Sequence, residues 1–444
     1  MSGSVKGLSP SAVLVWAIAI TAISDGAEAT LESVAVIQDG RSDATVPLGG
    51  LSDLASAADG SGRLWATTDR GPNGTSNVGG KKRRTLLSPA FAPEIISIKL
   101  SDDAVAGTAR VEKVIPLVGR SGKPLSGRPN GIGRDEPILD AASGRPIPGD
   151  PNGVDTEGIV QMKDGTFWMV EEYRPSLLRV SAAGRVLERF VPEGTQLDEA
   201  DAEIRDVLPA AYGTRRDNRG FESIATSPDG TRLWTMLQSP LDNGKSKEVK
   251  KAGNVRLLAF DPSKGKLVAE HVYRLGDPTD SDYLTKGVAP ADGKLCAMSA
   301  IDADSLLVIE SDDTGLVRLY RADLVDATDT LPRASVGDGP MLEEIRDLIA
   351  AGIRPLKKTL VANLAPLVPA MRRDVYGGAG ASADANADAP LKLEGLAILG
   401  PDRVAIVNDN DFGVHVKPGA ACRSCLWVIR LGEPLCISDT TSAR

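Results

Sequence analysis

The stretch Glu157-Gly-Ile-Val-Gln-Met-Lys-Asp-Gly-Thr-Phe-Trp168 reads as an acid, a short apolar run, an Asp-Gly turn and a second apolar run. It returns as Glu222-Ser-Ile-Ala-Thr-Ser-Pro-Asp-Gly-Thr-Arg-Leu-Trp234, and again as Glu394-Gly-Leu-Ala-Ile-Leu-Gly-Pro-Asp-Arg-Val-Ala405. A looser copy runs from Ser52 through Asp59-Gly60 to Trp65. Apolar runs joined by Asp-Gly are a hairpin signal. Strand–turn–strand units recurring along one chain predict repeated sheets, and hence an all-β fold, a single β-propeller.

Working outward, the units cover Val34 to Leu117, Asp155 to Val191, Phe221 to Leu275, Lys286 to Tyr320 and Leu393 to Cys436. Five blades are visible, and five to seven fit the chain length. A strand near Val34–Ile37 is placed to complete a C-terminal sheet. The stretch near 120–153 is rich in Gly and Pro and has no period, so it reads as a long loop packed near a site or over it. A second insertion lies near 321–392. Within it, apolar residues at 341, 342, 345, 348 and 349 predict a short helix over Met341–Ala350. The run Lys81-Lys82-Arg83-Arg84 reads as a solvated loop charge cluster.

Residues 1–29 read as a secretory signal peptide and 30–444 as the propeller domain. Lys6 supplies the positive end, Ala12 to Ile23 the apolar core and Ala27-Glu28-Ala29 the cleavage site. Export to the periplasm or beyond the cell follows, and no other stretch is long and apolar enough to span a membrane. The chain has 51 basic and 60 acidic residues; without Lys6, Asp25 and Glu28 the balance is 50 to 58, a net of −8. That argues against nucleic acid or an anionic membrane surface as partner; a small-molecule partner is expected, with the protein a monomer. In an oxidising compartment at least one bridge among Cys422, Cys425 and Cys436 is expected, with Cys296 the free thiol. Only two histidines, His271 and His415, are present, and no Gly-x-Ser-x-Gly elbow, P-loop or dinucleotide fingerprint.

Acids recur in register. Glu157, Glu222 and Glu394 open the phrase, each beside Gly or Ser. Trp65 is followed four residues later by Asp69, Trp168 by Glu172, Trp234 by Gln238 and Ala405 by Asp409. Glu171, Glu310, Asp312 and Asp411 lie at or just past the same strand ends. A lone strand-end acid is ordinarily solvated or caps a turn. Several in register would converge on one axis, and converging carboxylates repel unless a hard cation sits among them. The expected metal ligands are therefore Asp69, Glu157, Glu172, Glu222, Glu310, Glu394, Asp409 and Asp411, for Ca²⁺ ahead of Mg²⁺. Arg70, Arg174 and Arg219 each neighbour a candidate acid. They either pin loops by ion pairing or clamp phosphate or carboxylate oxygens.

Seven segments carry a family resemblance: Asp69-Arg-Gly-Pro-Asn73, Asp155-Thr-Glu-Gly-Ile159, Glu172-Tyr-Arg-Pro175, Asn218-Arg-Gly-Phe-Glu222, Ser239-Pro-Leu241, Leu393-Glu-Gly-Leu396 and Asn408-Asp-Asn-Asp-Phe-Gly413. In this order, over about residues 45 to 432, the chain resembles the phytase-like family, "esterase-like activity of phytase". The resemblance implies an exported, bacterial-type β-propeller whose acids carry phosphoester hydrolysis on a small anionic ester. Glu157, Glu222 and Glu394, with Arg70 and Arg174, then become the candidate catalytic residues: one acid as general base to a cation-activated water, an arginine steadying developing charge. The fourth unit departs from the family's acid-Arg-Asp ending, reading Glu310-Ser311-Asp312. A lactonase-like ester hydrolase is a close variant. A non-catalytic binding propeller holding a structural divalent cation is the alternative.

Overall fold

A computed structural model of the 444-residue chain describes residues 28–41, 45–100, 108–130, 138–242, 247–276, 287, 289–333, 341–377, 391–417 and 420–435. Each recurring phrase forms the inner pair of strands of an antiparallel sheet. The turns share one chemistry: Gly60, Gly165 and Gly230 take φ of 68°, 81° and 77°. The aspartate before each accepts from the backbone two residues on, as Asp164 Oδ1 does from Thr166 N at 2.9 Å and Asp229 Oδ1 from Thr231 N at 3.0 Å. A side chain that closes its own turn this way, next to a residue free to adopt positive φ, fixes the hairpin.

The first unit runs Leu51–Ser56, Arg63–Thr68, Glu94–Leu100 and Thr108–Pro116 from the inside outward. The second runs Thr156–Gln161, Phe167–Glu171, Ser176–Val180 and Val186–Pro192, with Glu203–Leu208 added in parallel outside it. Phe221–Thr226, Leu233–Leu237, Asn254–Asp261 and Lys266–Arg274 make the third. Lys294–Ala300, Ser305–Ser311, Val317–Asp323 and Lys357–Asn363 make the fourth. Lys392–Gly400, Arg403–Asp409 and Cys425–Leu431 follow, and the N-terminal strand Ala29–Gln38 supplies the outer position of that last sheet.

The inner strands stand side by side. Leu51–Ser56 lies between Thr156–Gln161 and Lys392–Gly400, Phe221–Thr226 between Thr156–Gln161 and Lys294–Ala300, and the last two strands meet each other. The result is a closed ring about one axis, a β-propeller. The ring is locked by Ala29–Gln38, which pairs antiparallel with Cys425–Leu431 and parallel with Thr108–Pro116. This joins the last and first units into one eight-stranded sheet and leaves neither outer edge unpaired there. Aromatic rings fill the wedges between sheets: Trp168 packs on Phe260 at 5.4 Å and Trp65 on Phe167 at 4.9 Å.

Three local readings differ. Met341–Ala350 is not a helix; it holds a 3-10 turn at Leu342–Glu344 and then turns. Leu348 still packs inward against Val272 and Ile353, with Leu342 and Ile345 beside it, whereas Ile349 is exposed. The backbone there is set instead by Glu343, whose carboxylate grips the buried Arg256 at 2.6 and 3.1 Å. The helical insertion is Val368–Tyr376, tied to the last sheet by Trp427 Nε1 donating to Asp374 Oδ2 at 2.8 Å. The run Lys81–Arg84 belongs to a β-hairpin, Asn73–Val78 with Lys81–Leu86, not to a loop. Cys296, Cys422 and Cys425 are free thiols, so no bridge joins Cys422 to Cys425; Cys436 lies outside the described residues.

Candidate functional site

In every unit the pairing between inner and second strand slips by one residue at the same place. The ladder jumps from Leu51 to Asp53, Phe221 to Ser223, Leu295 to Ala297 and Leu393 to Gly395, and in the second unit from Thr156 to Gly158. The residues left out are Ser52, Glu157, Glu222, Cys296 and Glu394. A β-bulge re-aims its extra side chain, so the three phrase-opening glutamates are re-aimed alike, around one end of the axis. The small residue that follows each has a packing reason. A Cβ on Gly158 would stand 2.9 Å from Ile224 N and 2.6 Å from Val170 Cγ2, and one on Gly395 would stand 2.8 Å from the Asp53 carbonyl carbon.

At the end of each second strand come Asp69, Glu172 and Gln238, one residue past it, and Asp409, its last residue, in the register expected from sequence. Backbone bonds hold this layer to the inner strands: Asp69 N to Gly50 O at 2.8 Å, Glu172 N to Asp155 O and Gln238 N to Gly220 O at 2.9 Å. Asp155, two residues before Glu157, completes a buried cluster. One carboxylate oxygen from each of Asp155, Glu157 and Glu172 lies within 4.8 Å of the others.

Cations are built into the ring. Arg70 Nη2 meets Asp155 Oδ2 at 2.5 Å and Glu172 Oε2 at 2.9 Å, while Arg70 N donates to Asp155 Oδ1 at 2.9 Å. The guanidinium lies over the Tyr173 ring at 5.2 Å, and Tyr173 Oη donates to Gly127 O at 2.8 Å. That glycine brings the 120–153 segment onto the site: a Cβ there would fall 1.7 Å from the Arg70 carbonyl oxygen. Across the ring Lys392 Nζ meets Asp409 Oδ2 at 2.8 Å and Asp411 Oδ1 at 2.5 Å. Gln238 Nε2 donates to Glu222 Oε1, and Glu222 Oε2 is buried with no hydrogen-bond partner.

Burial and mutual repulsion raise the proton affinity of these acids. Glu157 is pushed well above the usual carboxylate range by burial first, then by Asp155, Glu222 and Glu172. Glu222 is raised in the same way by burial, Glu172 and Glu394, and Asp69 by burial, Asp409 and Asp155. Glu394 is raised to about 8 by burial, with Lys392 opposing and Asp409 and Asp411 reinforcing the shift. Glu172 and Asp411 also move up, chiefly through burial. For Lys392 burial works downward, and Asp409, Glu394 and Asp411 outweigh it to hold the ammonium charged.

Glu310, Glu171 and Asp312 sit away from this cluster. Glu310 faces away from the axis, accepting from Tyr273 Oη at 2.5 Å, Gly276 N at 3.1 Å and Lys358 Nζ. Glu171, in the matching position, is enclosed by Arg189, Ser176, Asn130 and the Tyr173 and Arg174 amides. Both precede the ring position by one residue, and side chains alternate along a strand. Arg174 spends its amide on Glu171 at 2.9 Å. Asp312 accepts from Thr314 N at 2.8 Å and caps its turn. The positive charge of Arg219 bears on Glu222 and lowers its proton affinity somewhat.

Four residues in three places lie near the ring without being sequence candidates: Asp155 with Lys392, Asp53, and Arg84. Asp155 and Lys392 each stand two residues before a bulge glutamate, a spacing that was readable. Asp53 follows its bulge residue instead of occupying it. It is fully enclosed, accepting from Leu54 N at 2.8 Å and Ile159 N at 2.9 Å, and burial pushes its carboxyl well up. The third is Arg84, on the hairpin. The charge of Arg70 depresses its pKa more than burial does, while Glu172 and Asp155 act the other way.

These features define a β-propeller with an acidic, arginine-bearing site at one end of its axis. The chain belongs to the phytase-like family, described as esterase-like activity of phytase, which matches residues 46–412. It is 27% identical over 261 residues to an "Uncharacterized secreted protein" of the fungus Arthroderma benhamiae, a match of 50% of this chain and 49% of the relative. The chain thus spans about half the length of that curated relative. Among solved structures it is similar to a PQQ-bound aldose sugar dehydrogenase of Streptomyces coelicolor, at 11% identity and TM-score 0.32, covering 90% of this chain and 98% of that one. It is also similar to a calcium-binding protein, regucalcin, of Agrobacterium tumefaciens, at 12% identity and TM-score 0.33, covering 90% and 97%. No helix among the described residues is long and apolar enough to cross a membrane.

Proposed function

We propose that this is an exported, divalent-cation-dependent phosphoesterase, with residues 1–29 removed as a signal peptide. The observation that carries the reading is the Asp155–Glu157–Glu172 cluster at the propeller axis, with Arg70 bound to two of its members. The donor set fits a hard cation: it is all carboxylate oxygen and buried, with the unpartnered Glu222 oxygen close enough for its charge to bear on Glu157. Asp155, Glu157 and Glu172 would hold the ion, with Ca²⁺ favoured over Mg²⁺ because an all-carboxylate set at two adjacent strand ends suits a large, flexible coordination shell. When bound, such a cation supplies Lewis acidity toward the ester and makes a water more acidic.

The chain's own groups do the rest. Gln238 fixes one oxygen of Glu222 and leaves Oε2 to take a proton from the attacking water. Burial and the neighbouring Glu172 and Glu394 raise the proton affinity of this carboxylate, which strengthens it as a base. Arg70 Nε is buried without a hydrogen-bond partner, a donor unspent in the resting site and placed for charge that develops on the ester oxygens. Lys392 limits the net negative charge that an anionic substrate meets.

The second reading, a binding propeller without turnover, draws support from the two internal clamps, Arg70 with Asp155 and Glu172, and Lys392 with Asp409 and Asp411. A panel of phosphomonoesters, phosphodiesters and carboxylic esters separates the two. Hydrolysis that stops in EDTA and returns with calcium supports the enzyme; calcium binding with no turnover across the panel supports the binding protein.

A further inference from the structure

The hairpin Asn73–Val78 and Lys81–Leu86 is not needed to build the propeller. It springs from between Arg63–Thr68 and Glu94–Leu100, which are direct neighbours in the first sheet. It leaves at Pro72, directly after Arg70-Gly71, and its base is closed by Leu87 N donating to Pro72 O at 2.9 Å. Its second strand is held along the far edge, where Thr85 pairs with Leu139. Lys81 and Lys82 are exposed, whereas Arg83 and Arg84 are half-buried.

Among the described residues the Arg84 side chain makes no hydrogen bond or ion pair, although its backbone is paired with Thr75 in the hairpin, and it lies in the field of Arg70, Glu172 and Asp155. Arg70 in turn keeps a buried Nε with no acceptor. A guanidinium without an acceptor of its own, in the field of a second whose Nε is unspent although its Nη2 is paired with Asp155 and Glu172, is favoured when an anion joins the two. A phosphate with three free oxygens and close to two charges can accept from two planar forks at once. A carboxylic ester brings no charge, and a phosphodiester brings one charge and two free oxygens.

We propose that this hairpin is the specificity element of the axial site, and that Arg84 and Arg70 take between them the dianionic phosphate of a phosphomonoester. The assignment rests on the phosphoesterase reading for the fate of the ester, but its anion-binding part can be tested alone.

The test uses the full-length protein, R84Q, R84K and the exposed-face control K81Q. Inorganic phosphate is titrated calorimetrically in metal-free buffer and again with submillimolar calcium, alongside kinetics on a phosphomonoester and a phosphodiester. The proposal expects R84Q to bind phosphate on the order of tenfold or more weakly, R84K to recover part of that loss, and K81Q to match the parent. On the monoester, R84Q should raise KM with little change in kcat, and its effect on the diester should be smaller. A parent that binds no phosphate in either buffer, or an R84Q variant that binds it as tightly as the parent, overturns the proposal. Arg84-dependent phosphate binding without any turnover removes the phosphoesterase reading and leaves this one standing. Turnover with phosphate binding indifferent to Arg84 does the reverse.

Discussion

Gln238 donates its side-chain amide to one oxygen of Glu222 and leaves the other, Oε2, buried with no hydrogen-bond partner. A buried acceptor without a donor is costly in a resting protein, so this oxygen is where a proton or a cation is to be expected. Replacing Glu222 by Gln keeps the volume and removes the charge. Turnover of E222Q should fall on the order of a hundredfold or more, as for loss of a general base, with its circular dichroism unchanged. Initial rates on the parent's best ester check this; an undiminished rate makes Glu222 a strand-end acid only.

The raised acids set a pH dependence for the metal-free protein. Glu394 goes from an ordinary value of 4.5 to about 8 in the fold, and Asp53, Asp69, Glu157 and Glu222 move in the same direction. The folded chain therefore binds more protons than the unfolded chain between these limits. The stability this contributes is full below the unfolded values and is lost as pH rises through the folded ones. In EDTA the melting temperature should fall steadily from pH 5 to pH 8, and E394Q should flatten that slope. A melting temperature that rises with pH over this range contradicts the assignment.

Arg70 is nearly enclosed between Asp155 and Glu172. Removing one partner of a buried ion pair costs roughly 3–5 kcal/mol because the other charge is stranded. R70M should be destabilised on that scale in EDTA, and calcium should restore much of the loss by neutralising the same carboxylates. Thermal melts with and without calcium measure it; a variant as stable as the parent in EDTA contradicts the pairing.

At Gly158 the inner strand of the second unit lies close against the Ser223–Ile224 backbone of the third. G158A would press a methyl group against Ile224 N at 2.9 Å and Val170 Cγ2 at 2.6 Å, an overpacking cost of about 1–3 kcal/mol. Urea unfolding should show that loss, together with weakened cation binding, since the bulge carrying Glu157 must shift. Unchanged stability would mean that the strands stand further apart.

Much of this architecture was legible because it repeats. The Asp-Gly turns and apolar runs mark the inner hairpins, and an acid beside Gly or Ser marks a bulge at the axis. Legibility ended where the repeat did. The first unit carries Ser52 at the bulge and its acid one place later, so Asp53 bonds to strand backbone beneath the ring. The fourth carries Cys296, which leaves Glu310 as the nearest acid, and strand alternation turns it outward. Arg84 was hidden because its strand shows charge rather than apolar alternation, so a hairpin read as a loop. The helical spacing of Met341–Ala350 was real packing against Val272, but the Arg256–Glu343 pair holds the backbone out of a helix.

That the bulge glutamate Glu157 joins Asp155 and Glu172 in one cation site at the propeller axis is tested most directly by a calcium-binding isotherm on metal-stripped parent and E157Q. The account predicts one site in the parent, weakened at least about tenfold in E157Q because a charged ligand is lost. A parent that binds no calcium, or an E157Q variant that binds it equally well, would contradict it.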